Sequence, residues 1–501
     1  MSQEQKKKKG GGKKLLLSLV RWGIAVVGIW WVVSNMSLRD SVLLLNPETN
    51  IPQRVSLLQH APEDAPSFIV ADPKSGQATT VERSRVINPA TIDDKPKRVM
   101  VESNGVKTEA DILGMQLRGD INSQPSLDGL LIRKQGSTVG EWISPADVVG
   151  GYKLDVPRPK VEVGIKSLVA NANPWLLVLS VIIFPITFII TSYRWYRLTE
   201  VADVHIGIWR AFMINMVGAF YNTFMPGSVG GDVFKMYYAS KQTPHRMRAV
   251  VSVAIDRVLG LLALVMLGGV MAAYQYVATP DASKSDPTAR ACLQVALGSI
   301  AILAAVGIGL AVLFEKNIRR LLGLEFILSK LPMQRQIENA REVARVYRRR
   351  PVFMLVMLLI GLPVHITVII SALFAGKAFG LPLQPIYYFT VVPVVVLVGS
   401  IPISPQGAGV MEFFAILLTQ RQAATVSQAF ALTMSIRVVQ ILWNLTGGIF
   451  VLTGGFHAPT EQEQQELDDI ERRGDEDLPP DAPAGEPTDG PTQPAPVPPA
   501  S

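Results

Sequence analysis

Six long apolar runs constrain this chain more than any other feature. They lie at about Leu15–Met36, Pro174–Ser192, Ala249–Val277, Ala291–Phe314, Val352–Phe374 and Ala429–Leu452. Each can cross a hydrocarbon core about 30 Å thick, for which roughly 20 helical residues suffice. Inside such a core every backbone polar group must be satisfied within the protein, so helices are the expected form. Two further apolar stretches, Gly207–Met225 and Ile386–Ser404, run into Gly/Pro-rich sequence. With 49% hydrophobic and 18% charged residues, the chain does not read as an ordinary cytosolic enzyme, and disorder is confined to local segments. The single cysteine, Cys292, sits in an apolar run and offers neither an intramolecular disulfide nor a Cys-rich zinc site.

The charge pattern orients these runs. Residues 1–14 carry six Lys and one Glu, whereas 456–501 carry twelve acidic residues and two Arg. The first run follows Lys6–Lys9 and ends in Val33-Ser34-Asn35-Met36, a poor cleavage site, so it reads as an uncleaved anchor with a cytoplasmic N-terminus. The excess of Lys and Arg on cytoplasmic loops then puts 37–173 and 278–290 outside. It puts Tyr193-Arg-Trp-Tyr-Arg197 and 315–351, with ten Lys/Arg against four Glu, inside. Lys235, Lys241, Arg246 and Arg248 stay inside only if Gly207–Met225 belongs to a re-entrant hairpin on the cytoplasmic side. By the same reasoning Ile386–Leu418 is a hairpin entering from outside. Non-helical backbone at such depth requires burial in protein or a wet cavity.

A shift of 180 residues superposes three blocks. Ile186–Thr191 falls on Ile366–Ser371, Gly227 on Gly407 with Asp232 on Glu412, and Arg257 on Arg437. The expected fold is therefore an α-helical polytopic membrane protein, an inverted-topology repeat with two re-entrant hairpins, plus a small β-rich extracytoplasmic insertion. Its parts are a basic cytoplasmic N-terminus (1–14), an anchor (15–36), the β-rich domain (37–173) and repeat 1 (174–277). A connecting span with a basic segment (278–351), repeat 2 (352–455) and a disordered acidic Pro-rich cytoplasmic tail (456–501) follow. In the insertion, Ser67–Val70, Arg98–Val101, Gly129–Ile132 and Val161–Val163 are β-prone runs between turn signals. Residues 335–350 place Ile337, Ala340, Ala344 and Tyr347 on one helical face and Arg on the other, which suits a helix on an anionic leaflet.

Arg257 and Arg437 each lie eight residues inside a span, roughly 12 Å deep at 1.5 Å per residue. An arginine at the bilayer centre costs at least ~2.5–3.5 kcal/mol, so each needs a partner or a wet cavity. Asp232 and Glu412 are candidate ion-pair partners, and Asp256 is a local one. Alternatively the guanidiniums bind an anion, since they stay charged and fork onto phosphate oxygens. Both readings hold together if the carboxylates release the arginines when an anion arrives. Gly227, Gly230, Gly231, Gly407 and Gly409 at the hairpin tips either offer backbone N–H groups to an anion or allow close helix packing. Arg194 and Arg197 flank Trp195 and either anchor a helix end or hold a lipid headgroup. His365, near Pro363, serves helix packing or a proton relay. No metal, nucleotide, cofactor or Ser-His-Asp motif is present, so no cofactor is expected.

The combination of Tyr-Arg-Trp-Tyr-Arg after a span, Phe224-Met-Pro-Gly-Ser-Val-Gly-Gly-Asp232, Asp256-Arg-Val-Leu-Gly260 and Ile401-Pro-Ile-Ser-Pro-Gln-Gly-Ala-Gly-Val-Met-Glu412 resembles the transmembrane region of lysylphosphatidylglycerol synthases, a flippase-like integral membrane family. The likeness covers roughly 174–455 and the first span. It implies translocation of an anionic phospholipid or polyprenyl-phosphate-linked lipid between leaflets of a bacterial cytoplasmic membrane. The partners it implies are membrane lipids with an anionic headgroup and not nucleic acid. Two departures matter. Only the acidic tail follows the last span, so the aminoacyl-transfer activity of bifunctional members is not expected. The large insertion at 37–173 also differs from the usual short connection and suggests an extracytoplasmic protein partner. Two alternatives stand beside transport. One is a membrane-embedded transferase on a lipid phosphate with Asp232 or Asp256 as base, and the other is a scaffold acting through the insertion.

Overall fold

A computed structural model describes residues 23, 26–30, 33–34, 36–72, 75–90, 97–103, 106–119, 125–152, 154, 158–224, 230–281, 284, 287–314, 344–401, 404, 407–453 and 456. It separates into a β domain and a helical bundle.

Among the described residues the β domain contains ten strands: β1 (Ser41–Leu45), β2 (Pro52–Ser56), β3 (Ser67–Ala71), β4 (Ala78–Glu82), β5 (Val86–Pro89), β6 (Lys97–Ser103), β7 (Val106–Arg118), β8 (Ser126–Lys134), β9 (Glu141–Ile143) and β10 (Val161–Glu162). Eight belong to one sheet with the path β10-β1-β5-β7-β8-β9, β2 lying on β1 and β6 on β7, while β3 and β4 pair separately. All four β-prone runs fall in strands: β3 (Ser67–Ala71), β6 (Lys97–Ser103), β8 (Ser126–Lys134) and β10. Every strand pairing is antiparallel, as expected where hairpins rather than crossover helices connect the strands. The first and last strands are partners, with Ser41 opposite Glu162. The domain therefore begins and ends at one place and can be inserted without separating the helices it interrupts. Buried Asp40 secures that closure by accepting a 2.7 Å hydrogen bond from the Gly164 N–H. A side chain at Gly164 would collide with the Arg39 backbone.

Among the described residues, five helices are long and apolar enough to cross a membrane: Pro174–Val201, Arg246–Ala278, Pro287–Val312, Pro351–Ala378 and Val426–Thr453. They match five of the six apolar runs. The first, Leu15–Met36, lies largely outside the described residues, yet its Gly28 packs directly on Gly409, where a Cβ would stand 2.7 Å from the Gly409 Cα. Pro174–Val201 comprises α2 (Pro174–Ile183) and α3 (Ile186–Val201), preceded by a short α1 (Ile165–Ala170). The two Gly/Pro-bounded stretches are helix pairs. In the first, α4 (Ile208–Phe224) packs on α5 (Gly230–Ser240), ahead of α6 (Arg246–Ala278) and the connecting α7 (Pro287–Phe314). In the second, α9 (Tyr388–Ser400) packs on α10 (Val410–Thr419), between α8 (Pro351–Ala378) and α11 (Val426–Thr453). The order span, helix pair, span thus occurs twice.

Polar groups cross-link the bundle where apolar packing against lipid gives no preference. Ser371 Oγ on α8 donates to the Ser180 carbonyl on α2 at 2.8 Å, and Trp443 Nε1 on α11 donates to the Val181 carbonyl at 2.8 Å. Of the basic stretch, residues 315–343 lie outside the described residues. At its end Tyr347 faces protein rather than a leaflet: it is buried, and its hydroxyl donates to the Leu198 carbonyl at 3.0 Å. Arg345, Arg348, Arg349 and Arg350 remain exposed. Of the acidic tail only Phe456 is described, and it packs edge-on against Tyr238.

Candidate functional site

Two arginines and two carboxylates meet in the way the 180-residue offset suggests. Arg257 on α6 pairs with Asp232 in the first turn of α5, Nη1 to Oδ2 at 3.0 Å. Arg437 on α11 pairs with Glu412 in the first turn of α10, Nη1 to Oε1 at 2.8 Å. A carboxylate in the first helical turn is favoured by the positive end of the helix dipole, so each hairpin places its acid for a local reason. Glu412 does more, because its Oε2 accepts the Gly409 N–H at 2.7 Å and so caps α10. Its bond to Arg437 is close but poorly aligned. Glu412 Oε1 and Arg437 Nε lack hydrogen-bond partners among the described residues. The guanidinium also rests against the sulfurs of Met434 at 3.9 Å and Met411 at 3.7 Å.

Arg257 and Arg437 line one cavity of about 300 Å³ between the two halves of the bundle, together with Arg194, Asp232, Lys235, Asp256, His365 and Gln440. Its size is at the lower end of small-ligand sites. Arg194 is buried rather than anchoring a helix end at a surface. Its Nε donates to Asp256 Oδ1 at 2.7 Å and its Nη2 to the Asp256 carbonyl at 3.0 Å. Two glycines leave room for it: a Cβ at Gly361 would lie 2.9 Å from Nη1, and one at Gly260 would lie 3.2 Å from Nη2. Arg197 behaves differently and pairs with Glu200 at 3.1 Å near the surface. His365 donates through Nε2 to the Gly260 carbonyl at 2.8 Å and so joins α8 to α6.

The hairpin glycines divide. Gly227 lies outside the described residues, and Gly230 begins α5. Gly231 abuts the Gly218 carbonyl so closely that any side chain would collide, which is what holds α4 against α5. Gly407 (φ +69°) and Gly409 (φ +81°) occupy the left-handed region, and a Cβ at Gly407 would stand 2.5 Å from the Gly399 Cα. Their N–H groups are already committed, Gly407 to the Ser404 carbonyl and Gly409 to Glu412. These tip glycines therefore act through packing and turn geometry, and in this arrangement their amides are not directed at the cavity.

Lys235 is the cavity residue that motif reading passed over, having counted it only as a loop charge. It stands three residues after Asp232 on α5, a spacing that puts both on one helical face. That spacing was the available signal. A second cavity, about 440 Å³, lies where the β domain meets α8 and α11. It is larger but holds no comparable cluster of charge. Its Glu63 accepts the N–H groups of Lys160 and Val161, while burial pushes that carboxyl above the ordinary carboxylate range. Charge and convergence therefore favour the smaller cavity as the functional site.

Residues 163–448, more than half of the chain, match the family described as the lysylphosphatidylglycerol synthase TM region. No curated protein matches the chain.

Proposed function

The chain belongs to the lysylphosphatidylglycerol synthase TM-region family, and from that premise we propose that this multi-pass membrane protein carries an anionic lipid headgroup between the leaflets of a bacterial cytoplasmic membrane. The observation that carries this reading is that two arginines, one from each half of the bundle and each paired with a carboxylate, face a single cavity. The headgroup enters that cavity while the acyl chains stay in lipid. Each guanidinium exchanges its carboxylate for a phosphate oxygen, an exchange between like charge-assisted bonds that costs little net energy. The repeated order of helix, hairpin and helix supports an inverted-topology repeat. In such an architecture one half rocks against the other around a site near the midplane. The lipid leaves chemically unchanged.

The test is fluorescently labelled phosphatidylglycerol in proteoliposomes, with the outer leaflet bleached by an impermeant reductant. Wild type should expose label from the inner leaflet, and Arg257→Ala/Arg437→Ala should not. A wild-type protein that exposes none would end this reading. A lipid of altered mass would point instead to group transfer.

A further inference from the structure

Among the described residues, four cations and two carboxylates line the cavity, and a third carboxylate, Glu412, stands behind Arg437. Each carboxylate is engaged by one arginine: Asp256 by Arg194 at 2.7 Å, Asp232 by Arg257 at 3.0 Å and Glu412 by Arg437 at 2.8 Å. Lys235 is the fourth cation. Its Nζ lies 3.9 Å from Asp256 Oδ2, beyond hydrogen-bond reach, on a carboxylate whose other oxygen already serves Arg194. Lys235 is only 8% exposed, yet it lines the cavity.

The side chain is also held in place. A Cβ at Gly218 would stand 3.2 Å from the Lys235 Cγ, so the stem runs close along that glycine. The ammonium lies 5.3 Å from the centre of the Trp195 ring. A cation–π contact tempers the charge without neutralising it. A buried ammonium without a carboxylate of its own is costly, and inside a membrane such a residue marks a ligand path.

We infer that Lys235 is the residue that reads the headgroup's charge, donating to the phosphate of a lipid that carries a single negative charge, a phosphodiester. This rests on the function proposed above and assigns the contact within it. With three of the four cations matched, the walls carry one surplus positive charge. A monoanion balances it. A zwitterionic headgroup brings its own cation into the same space, and a phosphomonoester dianion leaves a negative charge uncompensated. An ammonium is a compact charge with three donors, suited to phosphate oxygens without the fixed fork of an arginine. The second half of the bundle holds no equivalent, since the position 180 residues on is Ala415. The surplus charge therefore sits on the first half alone.

The test is native mass spectrometry of the full chain released from nanodiscs containing equal parts phosphatidylglycerol, phosphatidylcholine and phosphatidate. Wild type should retain phosphatidylglycerol over both others. Lys235→Gln should lose that preference by about tenfold or more, the range of one charge-assisted hydrogen bond, while Lys235→Arg keeps it within about threefold. If Lys235→Gln does not fold, Lys235→Met replaces it, filling the same space beside Trp195 without charge. Wild type that prefers no anionic lipid would remove the proposed function itself. Wild type that selects phosphatidylglycerol, with Lys235→Gln or Lys235→Met selecting it equally, would leave the function standing and overturn the role of Lys235. Failure of both neutral variants to fold would overturn it too, because the charge would then be structural.

Discussion

The two halves of the helical bundle share a frame and differ in what they bring to the cavity. Residues 174–278 and 351–453 each run span, helix pair, span, and each supplies one arginine on its last helix and one carboxylate at the start of the hairpin's second helix. The first half adds Arg194, Lys235 and Asp256. The positions 180 residues further on are Phe374, Ala415 and Ile436. The shared pairs also sit differently. The side chains of Arg257 and Asp232 are 34% and 16% exposed, whereas those of Arg437 and Glu412 are 14% and 1% exposed. In the second half one carboxylate both caps α10 and matches α11, so the hairpin is tied down. The two halves share the frame, while the additional charges collect on one side.

Glu412→Gln leaves Arg437 buried without its countercharge and weakens the cap on α10. The expected loss is about 3–5 kcal/mol, as for breaking a buried pair from one side. Asp232→Asn, at the more exposed pair on the cavity wall, should cost less, about 1–3 kcal/mol. Thermal unfolding of both variants in the same detergent checks the contrast, and equal losses would erase the distinction between the halves.

The next variant sharpens the comparison by making the halves alike. Arg194→Phe, Lys235→Ala and Asp256→Ile together give the first half the residues of the second. Replacing a whole buried ion cluster by apolar side chains is often close to neutral, so the protein should fold with a change of about 2 kcal/mol or less. It should no longer retain phosphatidylglycerol, as lipid mass spectrometry would show. Arg194→Ala alone removes both hydrogen bonds to Asp256 and leaves it only Lys235 at 3.9 Å, so it should cost more, about 3–5 kcal/mol.

A separate effect concerns how the helix pairs are packed. Gly231→Ala places a methyl against the Gly218 carbonyl, for an expected cost of about 1–3 kcal/mol from overpacking. Gly409→Ala forces a side chain into the left-handed region, at about 1 kcal/mol. Melting curves for the two variants would rank them.

Much of this frame was legible in the residues. Five helices follow from apolar length, the two helix pairs from the Gly/Pro breaks, and the Asp232–Arg257 and Glu412–Arg437 pairs from one offset. What escaped is instructive. The second run ends by hydropathy near Ser192 because Arg194 and Arg197 follow, yet the helix continues to Val201. Arg194 is neutralised by Asp256, 62 residues away, a partner that no local window contains. For the same reason Arg194 reads in sequence as an interfacial anchor or a headgroup contact rather than a buried ion-pair partner, and Lys235 as a loop charge. The tip glycines suggested free amides, but whether an amide is free depends on which acceptor the turn presents. Glu412 and the Ser404 carbonyl take two of them.

Whether an anionic headgroup occupies the cavity between the halves is decided by a cryo-EM structure of the protein in phosphatidylglycerol nanodiscs. Phosphate density is expected between α5, α6 and α11, within hydrogen-bond reach of Lys235 and at least one of Arg257 and Arg437. A protein that moves phosphatidylglycerol while all ordered lipid lies on its outer face or in the cleft under the β domain would contradict it.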